Sequence, residues 1–84
     1  MATRILFFGK LKDPAGGATR EVDLPGEITD GAALIDWLCA DDDALRDALV
    51  GVGVRLSVDQ AIISVETPFK NPEEIAFLPP FSGG

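Results

Sequence analysis

Runs and alternations of apolar residues along this chain predict where its strands lie. Residues 5–8 and 75–78 are apolar at every position, which is typical of strands that are covered on both faces. Val22 and Leu24 alternate with acidic residues, as in a strand that buries one face. The pattern therefore predicts strands over residues 4–9, 19–24 and 75–78.

Residues 29–40 follow a helical period instead. Leu34, Trp37 and Leu38 recur at the i, i+3, i+4 spacing of a stripe that faces a core. Thr29 or Asp30 precedes them and is a residue type that accepts hydrogen bonds from the first free N–H groups of a helix. We expect a helix that runs to about residue 40 and packs on the sheet.

A second, shorter helix is predicted over residues 44–50. Leu45, Ala48 and Leu49 would form its apolar face, and Gly51 follows its end. The acidic residues 41–43 lack the glycine and the distal glutamate of a calcium loop. We therefore interpret them as a solvated linker that caps this helix.

The order of the predicted elements indicates an α+β fold. Residues 13–17, a cluster of turn formers, should reverse the chain between the first two strands. Residues 55–63 predict another strand, and residues 68–74 a polar connection to the last one. This order is consistent with a β-grasp, a mixed sheet with helices packed on one face, although other small α+β arrangements fit it too.

The fully apolar strands have a consequence for function. A chain this short provides one helical layer, so the other face of the sheet should stay exposed and apolar. Such patches usually mark a protein interface. The alternatives are that a loop or a second copy of the chain covers the patch.

Charge and composition limit the classes of molecule that this chain could bind. The 84 residues suffice for one domain, and the net charge of −7 disfavours both nucleic acid and anionic membranes. A basic protein partner fits this charge better. No apolar run reaches the length of a membrane span or a signal peptide.

Cys39 is the single cysteine, and the chain has no histidine. It can form no internal disulfide, and no zinc site or Cys-His nucleophile is expected. Because Cys39 falls within the helical pattern, we interpret it as a small core residue rather than a sulfur carrier. We expect a reducing, cytoplasmic environment.

The C-terminal residues predict a domain over residues 1–78 and a flexible tail over residues 79–84. Pro79 lacks an N–H for the sheet and Pro80 keeps the chain extended. Gly83 and Gly84 are slim enough to enter a narrow tunnel, and they present only a carboxylate. That group needs activation by ATP, for which this chain has no phosphate-binding motif. The alternative is an ordinary frayed terminus.

Residues 77–84, Phe-Leu-Pro-Pro-Phe-Ser-Gly-Gly, and residues 5–9, Ile-Leu-Phe-Phe-Gly, resemble the family of small sulfur-carrier subunits of molybdopterin synthase. The likeness runs over nearly the whole chain. It implies a ubiquitin-like β-grasp and a non-catalytic, sulfur-donating role in molybdenum cofactor biosynthesis. It also implies two partners, an adenylating enzyme that uses ATP and the large catalytic subunit, with which the family forms a heterotetramer. No cofactor is expected on this chain.

The resemblance also implies the roles of individual residues. Gly84 would carry the sulfur as a thiocarboxylate. Insertion into the large subunit would involve Pro79, Pro80, Phe81, Ser82 and Gly83. Docking of that subunit would involve Phe8, Ile62 and Leu78.

Three alternatives stay open at this point. Carriers for thiamine synthesis or tRNA thiolation share the fold and the Gly-Gly end, and a ubiquitin-like modifier would join Gly84 to a lysine. The chain departs from the family pattern in two places: Asp59 replaces an asparagine, and Pro72-Glu73-Glu74 replaces Gly-Asp-Glu before the last strand. Asp59 is expected to bring a charge near the docking face, and Pro72 to alter a turn.

Overall fold

A mixed sheet of five strands forms the centre of the computed structural model, which describes residues 2–80. The strands are β1 (Thr3–Phe7), β2 (Thr19–Val22), β3 (Arg55–Val58), β4 (Ala61–Ile63) and β5 (Glu74–Leu78). They lie in the order β2-β1-β5-β3-β4. The pair β1–β5 is parallel and the other pairs are antiparallel. The predicted α+β class and β-grasp architecture are confirmed.

The connection between β1 and β2 is helical, where the sequence predicted a simple turn. A short 3-10 helix, Gly9–Leu11, leads into α1, Lys12–Ala15. Pro14 is tolerated because it lies in the first turn, where a backbone N–H has no partner within the helix. Gly16 then ends α1 with a φ of 80°, and the chain reverses there as predicted.

The helix α2, Gly31–Leu38, begins as predicted, ends before the predicted residue 40, and packs Leu34 and Leu38 on the core as expected. The Asp30 carboxylate accepts a hydrogen bond from the Ala33 N–H at 2.8 Å. The buried positions are Gly31, Leu34 and Ile35, whereas Trp37 is 37% exposed. The prediction for Trp37 was wrong because Ile35, which lies on nearly the opposite side of the helix, is buried in its place. The close approach is at Gly31, where a Cβ would lie 2.5 Å from a methyl carbon of Leu56.

The helix α3, Asp43–Leu49, agrees with the prediction. The Asp42 carboxylate accepts a hydrogen bond from the Leu45 N–H at 3.0 Å, which is the capping role expected of the acidic run. Leu45 and Leu49 are buried. Both caps therefore follow from the same chemistry, a carboxylate placed before the first turn.

The region predicted as one strand over residues 55–63 is a hairpin. Asp59 and Gln60 separate β3 from β4 and have φ values of 48° and 73°. Both angles are positive, as in the two-residue turns that match the twist of paired strands. The sequence prediction missed this turn because Asp-Gln lacks the glycine that usually marks it.

The core lies between the helices and one face of the sheet. The Phe7 and Phe77 rings stack there with centroids 5.8 Å apart, joining the parallel strands β1 and β5. The other members of the core cluster are Ile5, Leu11, Ala15, Leu34, Ile35, Cys39, Leu45, Leu49, Leu56, Val58 and Ile75.

Candidate functional site

The chain leaves the sheet at Leu78, where β5 ends as predicted. Pro79 and Pro80 follow, and both are half-buried. A Cβ at Gly9 would lie 2.9 Å from Cγ of Pro79, and a Cβ at Gly53 would lie 2.7 Å from Cβ of Pro80. The two prolines therefore pack on the domain instead of extending away from it.

The remaining residues of the predicted tail, Phe81, Ser82, Gly83 and Gly84, lie outside the described residues. Their role in insertion and the carboxylate chemistry of Gly84 stay predictions. The division into a domain over residues 1–78 and a tail over residues 79–84 stays a prediction as well.

The sheet face that points away from the helices carries a band of small and apolar side chains. Leu6 pairs with Ala76, and Ala76 pairs with Ser57. Ser57 in turn pairs with Ile62. Directly paired residues point to the same side of a sheet and successive residues to opposite sides. Because Ile5 lies in the core, this band lies on the other face, which we call the open face.

A second row of the open face borders the end of β5. Phe8 is extended, and its N–H donates a hydrogen bond to the Phe77 carbonyl at 3.2 Å, so it continues β1 beside Leu78. Leu78 pairs with Arg55 on its other side. Phe8 is 42% exposed and Leu78 is half-buried. This row lies next to the point where the chain leaves the domain.

The three residues implied by the resemblance, Phe8, Ile62 and Leu78, therefore share one face. Ile62 is 55% exposed. From Phe8 on β1 to Ile62 on β4 the patch spans about 14 Å, three strand spacings of about 4.8 Å each. Their role in docking stays a prediction that this geometry supports.

Sequence reasoning missed four residues of the open face. Leu6 and Ala76 belong to the same fully apolar runs as Phe8 and Leu78, so the period-two alternation of side chains along a strand could have assigned them to the same face. Arg55 and Ser57 required the register of β3, which depends on the hairpin that the sequence did not reveal.

Charged residues occupy the far end of the open face. Arg4 pairs in register with Glu21 on β2 and Glu74 on β5. An Arg4 guanidinium nitrogen lies 3.9 Å from a Glu74 carboxylate oxygen. A partly exposed pair of this kind contributes little stability. The face therefore changes from charged at the start of β5 to mainly apolar at its end, where Arg55 is the charged neighbour of Leu78.

Asp59, the first departure from the family pattern, has a structural role. One carboxylate oxygen accepts hydrogen bonds from the backbone N–H groups of Glu73 and Glu74, each at 3.0 Å. It thereby ties the β3–β4 turn to the start of β5. At the second departure, Pro72, the Thr3 hydroxyl donates to the carbonyl at 2.9 Å. The effect of either residue on partner choice stays a prediction.

Cys39 is a core residue, as predicted. Its side chain is 1% exposed, and burial raises the pKa of the thiol while the nearby Arg46 lowers it. A neutral, buried thiol is a poor nucleophile. Cys39 is therefore a weak candidate for the atom that carries sulfur.

Within residues 2–80, no group of three or more His, Cys, Asp or Glu side chains is placed to hold a metal ion. In the same part of the chain, no helix has the length and apolar character needed to cross a membrane.

Comparison with known proteins places these features in a family. The ThiS family matches residues 5–84. The chain is 34% identical over 82 residues to the molybdopterin synthase sulfur carrier subunit of Drosophila yakuba, covering 95% of this chain and 88% of that protein. It is 28% identical over 81 residues to the protein of the same name from Escherichia coli (strain K12), covering 96% and 98%.

A solved structure has the same architecture. SAMP1, the small archaeal modifier protein 1 of Haloferax volcanii, superposes with a TM-score of 0.77 at 27% identity and covers 100% of both chains. The fold of this chain is therefore also that of a protein named as a modifier.

Proposed function

This chain belongs to the ThiS family, and from that premise we propose that it is the sulfur carrier subunit of a molybdopterin synthase. One structural observation supports the proposal most directly. The apolar row of exposed Phe8 and half-buried Leu78 lies beside Pro79, where the chain leaves the domain. A partner that covers this row would therefore receive the C-terminal residues without any rearrangement of the sheet.

In this proposal the carboxylate of Gly84 carries the sulfur. On a separate adenylating enzyme, a carboxylate oxygen attacks the α-phosphorus of ATP and pyrophosphate leaves. A donor of sulfide-level sulfur then attacks the acyl carbon and AMP leaves, which gives a thiocarboxylate. In the large subunit the thiocarboxylate sulfur displaces an oxygen substituent from a carbon of the pterin precursor, and water then hydrolyses the resulting thioester, which leaves a thiol on the precursor and restores the Gly84 carboxylate. The acyl-adenylate supplies the leaving group that a free carboxylate lacks.

The other tail residues would help Gly84 to reach the active site of the large subunit and would take no part in the reaction. Gly83 would keep the tail slim inside the tunnel of the large subunit, and Phe81 and Ser82 would line the approach. The catalytic side chains would belong to the large subunit, in a heterotetramer, and this chain would bind no cofactor. We place the assembly in the cytoplasm, a reducing environment that suits the single, unpaired Cys39.

The charge of the chain supports a basic surface on the partners. The net charge is −7, and opposite charge on a partner accelerates encounter without adding to the buried contact area. Association with the adenylating enzyme and with the large subunit should therefore slow as salt is added. The apolar row of the open face would provide the contact that salt does not weaken.

The decisive experiment is a change of mass at Gly84. The full chain is incubated with ATP, a sulfur donor and the adenylating enzyme, and its intact mass is measured. We expect one oxygen to be replaced by sulfur, localised to Gly84 by fragmentation. A chain lacking Gly84 should keep its circular dichroism and thermal melt, gain no sulfur and support no molybdopterin synthesis. Molybdopterin synthesis by that shortened chain would rule out the proposal.

A second candidate function is protein modification, which the similarity to SAMP1 favours. The same acyl-adenylate would then react with a lysine amine and form an isopeptide. Isopeptide-linked Gly84 on many proteins, with no thiocarboxylate detected, would favour this alternative. Carriers for thiamine synthesis or tRNA thiolation would form the thiocarboxylate but would not restore molybdopterin synthesis with the large subunit.

A further inference from the structure

Two glycines from different loops lie against the two prolines that follow the sheet. Gly9 follows β1, and Gly53 lies in the loop between α3 and β3. Both have positive φ angles, 56° and 83°. The Pro79 ring occupies the space where Gly9 would carry a Cβ, and Pro80 occupies the equivalent space at Gly53.

These approaches are closer than any side chain would tolerate. The distances from the missing Cβ positions are 2.9 Å at Gly9 and 2.7 Å at Gly53, whereas two carbon atoms are in optimal contact at about 3.5 to 4.0 Å. By contrast, a Cβ at Gly16 would have nothing within 4 Å, although its φ of 80° is nearly the same as that of Gly53. Backbone conformation explains glycine at position 16, and proximity to a proline is an additional reason at positions 9 and 53.

We infer that Gly9 and Gly53 form a seat for Pro79 and Pro80 that sets the direction in which the chain leaves the domain. On the proposed function, on which this inference rests, the two glycines are positioning residues for the delivery of Gly84 to a partner's active site. They touch neither the precursor nor the reacting atoms.

The seat acts through conformational entropy. Ordering the backbone of one ordinary residue is unfavourable by an amount that corresponds to roughly a fivefold to thirtyfold change in an equilibrium constant. The ring of a proline already fixes φ, so it takes the two prolines together to reach about that factor. Pro79 and Pro80 are ordered on the domain before any partner binds, so a partner that takes up the tail orders fewer residues itself. The seat also keeps the root of the tail at the apolar end of the open face, which raises the effective concentration of the tail there.

The structural test compares Gly53→Ala with Gly16→Ala. Both substitutions place alanine at a similar positive φ, so their backbone strain is matched, but only the first directs a methyl group at Pro80. In NMR spectra of the full chain we expect a cross-peak between Gly53 Hα and Pro80 Hβ. It should persist in Gly16→Ala, and the corresponding contact should disappear in Gly53→Ala. A wild-type chain without this cross-peak would overturn the seat.

The functional test uses the same pair, charged with sulfur and titrated against the large subunit. We expect KM to rise about tenfold in Gly53→Ala with kcat unchanged. The residues after Leu78 are then no longer ordered on the free domain, so the entropy loss of ordering them weakens binding, whereas the chemistry in the bound state is the same. Gly16→Ala should stay within about twofold of the wild type. Equal KM values in the two variants, or a lower KM in Gly53→Ala, would overturn the inference.

A rescue experiment addresses the other half of the seat. Gly9→Ala would meet Cγ of Pro79 at 2.9 Å, whereas the Pro79 Cβ lies 3.9 Å away. Adding Pro79→Ala removes Cγ, so the double variant should regain the Gly53–Pro80 cross-peak that Gly9→Ala weakens. Failure to regain it would count against the seat. If the wild-type chain acquires no sulfur at Gly84, the proposed function fails, and the cross-peaks alone decide on the seat.

Discussion

Replacement of Ile62 by lysine tests whether the open face is the docking surface for the large subunit. Ile62 lies on β4, one of the two edge strands of the sheet, and points to the open face beside Ser57. It is 55% exposed, so the substitution removes little packing from the free chain. Changes at exposed sites of this kind usually alter the free energy of unfolding by less than about 0.5 kcal/mol.

The expected loss of affinity follows from that exposure. Complete burial of an isoleucine side chain contributes about 1.5–3 kcal/mol, and about half of the Ile62 side chain remains to be buried by a partner. Its share of the docking energy is thus about 0.8–1.6 kcal/mol. Lysine loses this share and also brings a charge into an apolar contact, partly relieved because its long stem can reach solvent. We expect a total loss of about 2–4 kcal/mol, or roughly thirtyfold to a thousandfold in Kd.

Val50→Lys provides a matched control on the helical side of the domain. Val50 is 59% exposed and follows the last residue of α3, where a lysine is compatible with the helix dipole. Both substitutions change the net charge by the same amount, so their long-range effects on a charged partner are alike. The control should leave Kd within about threefold of the wild type.

Isothermal titration calorimetry with the large subunit at fixed salt measures both values, and thermal melts verify that each variant is folded. If Ile62→Lys binds within about threefold of Val50→Lys, the large subunit does not dock on the open face. If Ile62→Lys unfolds, the Ile62 side chain stabilises the fold of the free chain and is not a free docking residue.

Two further predictions concern the fold itself. Asp59→Ala should lower the free energy of unfolding by about 1–2 kcal/mol in urea titrations, because two N–H groups lose their acceptor; Asp59→Asn keeps an acceptor and should lose less than half as much, whereas equal losses would mean that the carboxylate charge matters. Burial raises the pKa of the Cys39 thiol above its ordinary value of 9.0, so stability should be retained below pH 9 and fall above it as the unfolded thiol ionises first. Cys39→Ala should show a weaker decline in urea titrations over that range, and an identical decline would assign it to other groups.

Local chemistry accounts for the parts of the fold that could be predicted from sequence. The carboxylates of Asp30 and Asp42 cap their helices, and the fully apolar runs around β1 and β5 identified both central strands. The predictions failed where contacts between residues far apart in the sequence determine which side chains are buried. Trp37 has the spacing of a core residue, yet α2 packs on the sheet through Gly31, Leu34 and Ile35, which leaves Trp37 exposed.

The seat that Gly9 and Gly53 form for the two prolines could not be predicted from the sequence, because it depends on the order of the strands in the sheet. β5 lies between β1, to which it is parallel, and β3, to which it is antiparallel. The end of β1 and the start of β3 must therefore both lie beside the end of β5. The residues just outside these strands, Gly9 and Gly53, are thus brought to the two prolines by topology alone. A β-grasp chain with larger residues at these two positions would place its tail differently, even with the same open face and the same Gly-Gly end.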